Sequence, residues 1–413
     1  MSRVAQLARK AKEAARVVSD LSAKIRNEVL LTASRSLQGN TALLLSENAK
    51  DCGKARNSGI SGALLDRLTL TEKRIQDMAD SLVTVASLPD PLGESEGWIR
   101  PNGLEIRKTR VPLGVIAIIY EARPNVTVEA SSLAFKAGNA VLLRGSSSAR
   151  NSNRALVAIL QEALKEHGMP PSAIQLVEDA DRKGIADLLK LRDFIDVVIP
   201  RGGADLIRTV VRESSIPVIE TGVGNCHIYA DQEASIEKAI PIILNAKTQR
   251  PGVCNAAETL LIHEKIAEPL LRRLGPELEK RAVEIRGCDK TRKILPCKAA
   301  TEEDWATEFL DLILAVRVVP SLEEAVRHIQ EYGTGHSEAI ITESVTRARQ
   351  FQKEVDAAAV YVNASTRFTD GGEFGYGGEV GISTQKLHAR GPVGLRELTT
   401  WKYVITGDGH VRE

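Results

Sequence analysis

Gly114-Val-Ile-Ala-Ile-Ile-Tyr120-Glu-Ala-Arg-Pro-Asn125-Val126 is the stretch that sets the fold. Its first half is apolar without alternation, the pattern of a strand buried on both faces of a parallel sheet. Its second half passes through a proline of fixed φ, Pro124, and a helix is expected near 126–137. The texture recurs downstream. Segments 140–143, 174–177, 196–199 and 217–219 read as further strands, with helices near 149–167, 181–192 and 203–213. Such alternation builds right-handed βαβ units and a doubly wound α/β sheet.

The reading extends both ways from this core. Upstream, Val4, Leu7, Ala8, Ala11 and Ala15 keep helical spacing, and residues 3–87 read as helices. Residues 98–111 alternate like a hairpin that turns at Asn102-Gly103. Downstream, strands at 259–262, 282–285, 314–319, 339–341 and 360–362 alternate with helices at 264–274, 321–331 and 344–355, a second α/β domain. The tail from 389 carries a short helix at 394–398 and a strand, Trp401-Lys-Tyr-Val-Ile405. A lone strand needs a sheet edge, here expected from another subunit. The expected organisation is a nucleotide-type domain at 1–97 and 112–230, a thiol-bearing domain at 231–388, and an oligomerisation arm at 98–111 and 389–413.

The 413 residues are 43% hydrophobic and 26% charged, with a net charge of +1. Nothing in this balance points to a nucleic-acid or membrane partner, and no apolar run reaches the roughly 18 residues of a membrane span. The amino-terminal residues have no apolar secretory core. Five scattered cysteines without a CxxC pair suit a reducing compartment. His227 and His263 lack zinc-ligand spacing, so no metal is expected.

Chemistry concentrates in Gln249-Arg250-Pro-Gly-Val-Cys254-Asn-Ala-Ala-Glu-Thr-Leu-Leu261. A Pro-Gly turn that presents a thiol at a helix start would favour the thiolate through unpaired N–H groups and the helix dipole. The plainer reading is an apolar buried cysteine. Asn125 is either a rigid amide donor for an oxyanion or the cap of its helix, and Arg123 can hold an anion. Arg144 and Ser146 suit a ribose or its 2′-phosphate, or a serine-rich helix cap. Arg201, Gly202 and Gly203 open a helix after a buried strand and suit a phosphate, or merely a glycine turn. Gly222-Val-Gly224 lacks a third glycine and reads as a turn. Asn363, Ser365, Thr366 and Arg367 follow a strand and are candidate substrate contacts, or a capped solvated loop.

Five strings together carry a resemblance: residues 111–125, 199–203, 245–255, 362–371 and 383–394. In order and over nearly the whole chain, they resemble the aldehyde dehydrogenase superfamily and, within it, the γ-glutamyl phosphate reductases. The resemblance implies a fold of cofactor and catalytic domains with an oligomerising arm. It also implies NADPH-dependent reduction of γ-glutamyl 5-phosphate through a cysteine thioester, the second step of proline biosynthesis from glutamate. It places the nucleophile on Cys254, the oxyanion amide on Asn125 and the adenosine-ribose contact on Arg144. Glu308 falls at the nicotinamide-ribose carboxylate, and Arg123, Arg250 and Arg367 are candidate phosphate contacts. Glu220 stands where relatives keep a water-activating glutamate, a role that a reductase of an acyl phosphate does not need. The glycines after it are altered to Thr221-Gly-Val-Gly224. Implied further are NADP(H) as cofactor, a cytoplasmic location, a homodimer or an oligomer of dimers, and functional coupling to glutamate 5-kinase. The alternatives are a hydrolytic NAD(P)-dependent aldehyde dehydrogenase or a silent binding scaffold.

Overall fold

The structure is a computed structural model that describes residues 2–60, 62–121, 123–178 and 182–412. The chain forms two compact units. One is 1–221 with 375–381 and 393–413, and the other is 222–374 with 382–392.

The first unit is built on a four-stranded parallel sheet. Its order is Ile174–Leu176, Ala140–Arg144, Val115–Tyr120, Val197–Arg201. All six residues of Val115–Tyr120 are buried, as an uninterrupted apolar run requires. Alternate residues Val115, Ala117 and Ile119 pack with Ala140 and Leu142 against Val4, Ala8, Ala11 and Ala15 of the first helix, Arg3–Ser19. The chain leaves Val115–Tyr120 to one side and returns on the other. The loops after Tyr120 and Arg201 therefore meet at a topological switch point, where open α/β sheets bind ligands. Segment 217–219, expected as a strand, makes only an isolated parallel bridge between Val198 and Val218.

The expected hairpin is present, with Ser95–Ile99 antiparallel to Glu105–Pro112. Its turn closes through the Gly103 N–H on the Arg100 carbonyl at 2.8 Å, with Gly103 at φ +91°. The tail strand, Thr399–Thr406, does not wait for another subunit. It pairs antiparallel with Glu105–Pro112 of its own chain, Trp401 opposite Arg110, whose guanidinium lies 4.2 Å from the indole centroid. Residues 394–398, expected as a helix, have no helix; 395–398 form a turn.

The second unit holds a seven-stranded parallel sheet. Its order is Lys298–Ala299, Glu284–Gly287, Ile313–Val319, Ala257–His263, Cys226–Ala230, Ser337–Ile341, Ala359–Val362. Successive strand residues feed opposite faces. Ile228, Leu260, Ile262 and Val316 pack on Ile243, Leu270 and Leu274, while Tyr229, Leu261 and Ile340 pack on Leu322, Val326 and Phe351. The sheet is therefore doubly wound, as expected. Strand Cys226–Ala230 is an interior strand of this sheet, between Ala257–His263 and Ser337–Ile341, so the units divide between Thr221 and Gly222 rather than at 230. Residues 393–413 likewise pack with the first unit rather than apart from it.

Candidate active site

Cys254 lies in a turn between helix Ile236–Thr248 and strand Ala257–His263, and no helix begins at it. The expected helix dipole is therefore missing there. The turn closes through the Ala256 N–H on the Val253 carbonyl at 3.0 Å. Cys254 is half-buried, whereas Cys226 beneath it is fully buried and donates its S–H to the Cys254 carbonyl at 3.1 Å. Burial, with the Glu338 charge adding, pushes the Cys226 thiol well above its ordinary value, so it stays protonated and inert.

A set of close contacts holds the thiol-bearing turn. Gly224 approaches so closely that a Cβ there would lie 1.6 Å from the Cys254 carbonyl oxygen. Asn255 donates its side-chain amide to the Thr369 carbonyl at 2.9 Å, and its own carbonyl accepts the Thr366 hydroxyl at 2.7 Å. Arg367 reaches the Asn255 side-chain oxygen and donates to Gln249 Oε1 at 2.8 Å. Burial, with nearby Arg250 adding, pulls the Arg367 guanidinium below its usual value against the attraction of Asp370 and the Cys254 sulfur. One exposed arginine, Arg250, and one half-buried one, Arg367, thus lie within electrostatic reach of each other, and Arg367 within reach of the thiol.

The other candidates of this segment separate. Thr366 and Ser365 are buried and structural: Ser365 Oγ accepts the Arg367 N–H and caps the 3₁₀ turn Thr366–Phe368. Asn363 sits at the carboxyl end of Ala359–Val362, whereas Cys254 precedes the amino end of the parallel strand Ala257–His263. Its Oδ1 accepts the Thr342 N–H at 2.9 Å and its Nδ2 donates to the Thr342 carbonyl at 2.8 Å. The structure therefore spends Asn363 on pinning a strand end, not on the thiol-bearing edge.

Glu308 accepts the Gly224 N–H at 2.8 Å, which ties the candidate nicotinamide carboxylate to the glycine that touches Cys254. Lys247 and Glu258 form an ion pair at 2.5 Å, with both side chains fully buried. Burial pushes Glu258 up to about 7 despite the lysine, and pulls Lys247 below its ordinary value; desolvation outweighs pairing for both. Sequence reasoning passed over Gly224, Asn255, Lys247 and Glu258. The available signal was a charge inside a fully buried strand, Ala257–His263, and another inside an apolar helix.

In the first unit, Asn125 is exposed at the second position of helix Pro124–Lys136. The N-cap is Arg123, with no side-chain cap bond, so the helix-cap reading of Asn125 fails. Ser146 caps the 3₁₀ turn Ser147–Ala149 by accepting the Ser148 N–H at 3.2 Å. With Gly145, Ser147, Arg150 and Glu178 it lines a small, half-open cleft at the carboxyl end of the sheet, beside half-buried Arg144. Glu178 is neutralised there by Arg154 at 2.8 Å and Arg3 at 3.1 Å, so the cleft tolerates an anion. Arg201, Gly202 and Gly203 stand instead at the switch point, where Val197–Arg201 pairs with Val115–Tyr120. The Gly203 N–H already binds the Glu121 carboxylate at 2.8 Å, and a phosphate on that amide would have to displace it.

Comparison with known proteins agrees with this architecture. The model of the aldehyde dehydrogenase family matches residues 1–312 and 305–404. A γ-glutamyl phosphate reductase of Moorella thermoacetica is 58% identical over 406 residues, covering 98% of this chain and 97% of that protein. The crystal structure of γ-glutamyl phosphate reductase from Thermotoga maritima superposes with a TM-score of 0.97 at 52% identity, covering 100% of both chains. An acetylating aldehyde dehydrogenase of Geobacillus thermoglucosidasius shares the fold, with a TM-score of 0.72 at 19% identity over 99% of this chain and 97% of that one. The chain belongs to the aldehyde dehydrogenase family and, within it, to the γ-glutamyl phosphate reductases.

Proposed function

We propose that the protein reduces γ-glutamyl 5-phosphate to glutamate 5-semialdehyde and phosphate with NADPH, in proline biosynthesis. The observation that carries the reading is a half-buried thiol on a backbone wedged by Gly224 and Asn255, with the Arg367 guanidinium in reach. Its support in sequence is the full-length identity to the reductases.

The Cys254 thiolate attacks the acyl carbon. A C–S bond forms, the C–O bond to phosphate breaks, and phosphate departs with the electron pair. Arg367 and Arg250 supply cationic charge for the phosphate oxygens, and Arg123 is assigned the same role. The Cys254 N–H is assigned to the oxyanion, and Asn125 keeps the second-donor role that the resemblance implies, supported by its exposed amide on a rigid first helical turn. Arg144 and Ser146 are assigned to the 2′-phosphate end of NADP(H), supported by the guanidinium, hydroxyls and neutralised carboxylate that gather around the small cleft beside them. Glu308 is assigned to the nicotinamide ribose. When bound, NADPH supplies the hydride that takes the thioester to the aldehyde oxidation level, and loss of the thiolate frees the semialdehyde.

The hydrolytic alternative is not favoured. Water would waste an acyl phosphate that a kinase has had to make, and a glutamate 5-kinase is the expected source. All five cysteines are free, which suits a reducing cytoplasm.

The test is Cys254→Ala. Turnover is expected to vanish while NADPH still shifts the melting temperature. Wild-type enzyme quenched during turnover should carry a glutamyl adduct on the Cys254 peptide. NADPH formation from the semialdehyde should require phosphate, and a phosphate-independent rate would hand the reading to the hydrolytic enzyme.

A further inference from the structure

We infer that Glu258, anchored by Lys247, is a positioning residue that holds the Leu310 turn, and through it Glu308 and the backbone of Cys254. The reading of Glu308 as a cofactor contact is the one proposed above, and the inference rests on it in part.

The geometry runs through atoms of one unit. Glu258 divides its two oxygens. Oε2 takes the Lys247 ammonium at 2.5 Å, and Oε1 accepts the Leu310 N–H at 3.1 Å. Leu310 has φ +54°, a left-handed conformation that a leucine rarely adopts, and its side chain is 40% exposed. No packing of a buried side chain pays for that conformation, so the bond to its N–H is the visible restraint. Phe309, between Leu310 and Glu308, lies 5.1 Å from the Arg286 guanidinium carbon. Glu308 then accepts the Gly224 N–H at 2.8 Å, and Gly224 abuts the Cys254 carbonyl.

The arrangement explains why two charges are buried where apolar residues would be less costly. A fully buried ion pair replaced by apolar groups is often no less stable. What the carboxylate adds is a second oxygen, aimed at a strained turn. Lys247 opposes part of the burial penalty on the carboxyl and occupies one of its oxygens, which leaves the other aimed at the Leu310 N–H.

The test compares two double variants that both remove the pair of charges. Lys247→Met with Glu258→Gln keeps an oxygen for the Leu310 N–H. Lys247→Met with Glu258→Met removes it at similar volume. Three readouts are taken: melting temperature, NADPH KM separately from kcat, and the rate at which iodoacetamide alkylates Cys254, followed on its peptide. The inference expects similar melting temperatures. The glutamine variant is expected to remain near wild type, and the methionine variant to show an NADPH KM several-fold to about ten-fold higher and an altered alkylation rate, the scale of one lost neutral hydrogen bond. Indistinguishable KM and alkylation in the two variants would overturn it. Glu308→Gln is the control. If it leaves NADPH KM unchanged, the cofactor reading of Glu308 fails, and the alkylation rates of the two double variants alone decide the positioning role.

Discussion

Gly224 shows how a residue can govern a site without any chemistry of its own. Its backbone lies where a Cβ would sit 1.6 Å from one Cys254 backbone atom and 2.4 Å from the next, contacts that no rotamer can relieve. Gly224→Ala must therefore displace the thiol-bearing turn. The expected result is a loss of kcat of about 100-fold or more, with destabilisation of about 3 kcal/mol, as for other forced backbone clashes. Steady-state kinetics and a urea titration check both. The sequence made Cys254 legible because its neighbours 245–255 form a specific string. It left Gly224 as an ordinary turn, because closeness to residue 254 is a property of folded space. Asn363 erred in the opposite direction. Its polar neighbours suggested substrate, but the amide is consumed by Thr342 at the far end of the sheet.

At the scale of elements, the strands that were legible are those with unbroken apolar runs. Strand Ser337–Ile341 hides more. It is buried throughout although it begins with Ser337 and Glu338, and His336 precedes it. Glu338 accepts both the His227 N–H at 2.7 Å and a contact from the His227 ring at 3.1 Å. Burial holds His336 down to about 4 and His328, in helix Leu322–Tyr332, down to about 2. In the unfolded chain both regain an ordinary value near 6.5. Below that value the unfolded chain binds protons that the folded chain refuses. Their contribution is thus full above about pH 6.5 and is lost as pH falls, by up to about 1.4 kcal/mol per pH unit for each histidine. Urea midpoints measured from pH 7.5 to 5 should decline, and His336→Asn should flatten the decline by close to one proton. An unchanged slope would mean that His336 is protonated in the folded state. No periodicity rule finds these histidines, since each looks like a polar residue in a solvated position until the sheet closes over it.

At the scale of the molecule, the three-stranded sheet carries the plainest unfinished surface. Strand Thr399–Thr406 forms one edge of it, and Tyr403, Val404 and Ile405 are exposed, as are Trp98 and Ile99 on the opposite edge strand. Trp98 and Tyr403 meet edge to face at 6.4 Å between centroids. An exposed apolar edge invites pairing with a second copy, and the arm is proposed to assemble a homodimer. Replacing Tyr403 and Ile405 with lysine is expected to shift the species seen in analytical ultracentrifugation toward monomer. A wild-type profile in that variant would move the interface elsewhere.

The sequence by itself determined the alternation of strands and helices and the parallel character of both sheets, and it singled out the cysteine proposed as nucleophile. These are carried by residues close in the chain, where periodicity and local sterics act. Only the tertiary structure decided that the tail strand pairs with its own hairpin, that Gly224 presses on Cys254, and that Lys247 and Glu258 share one buried bond. Those outcomes depend on which distant segments come to exclude water from the same place, and no local pattern encodes that.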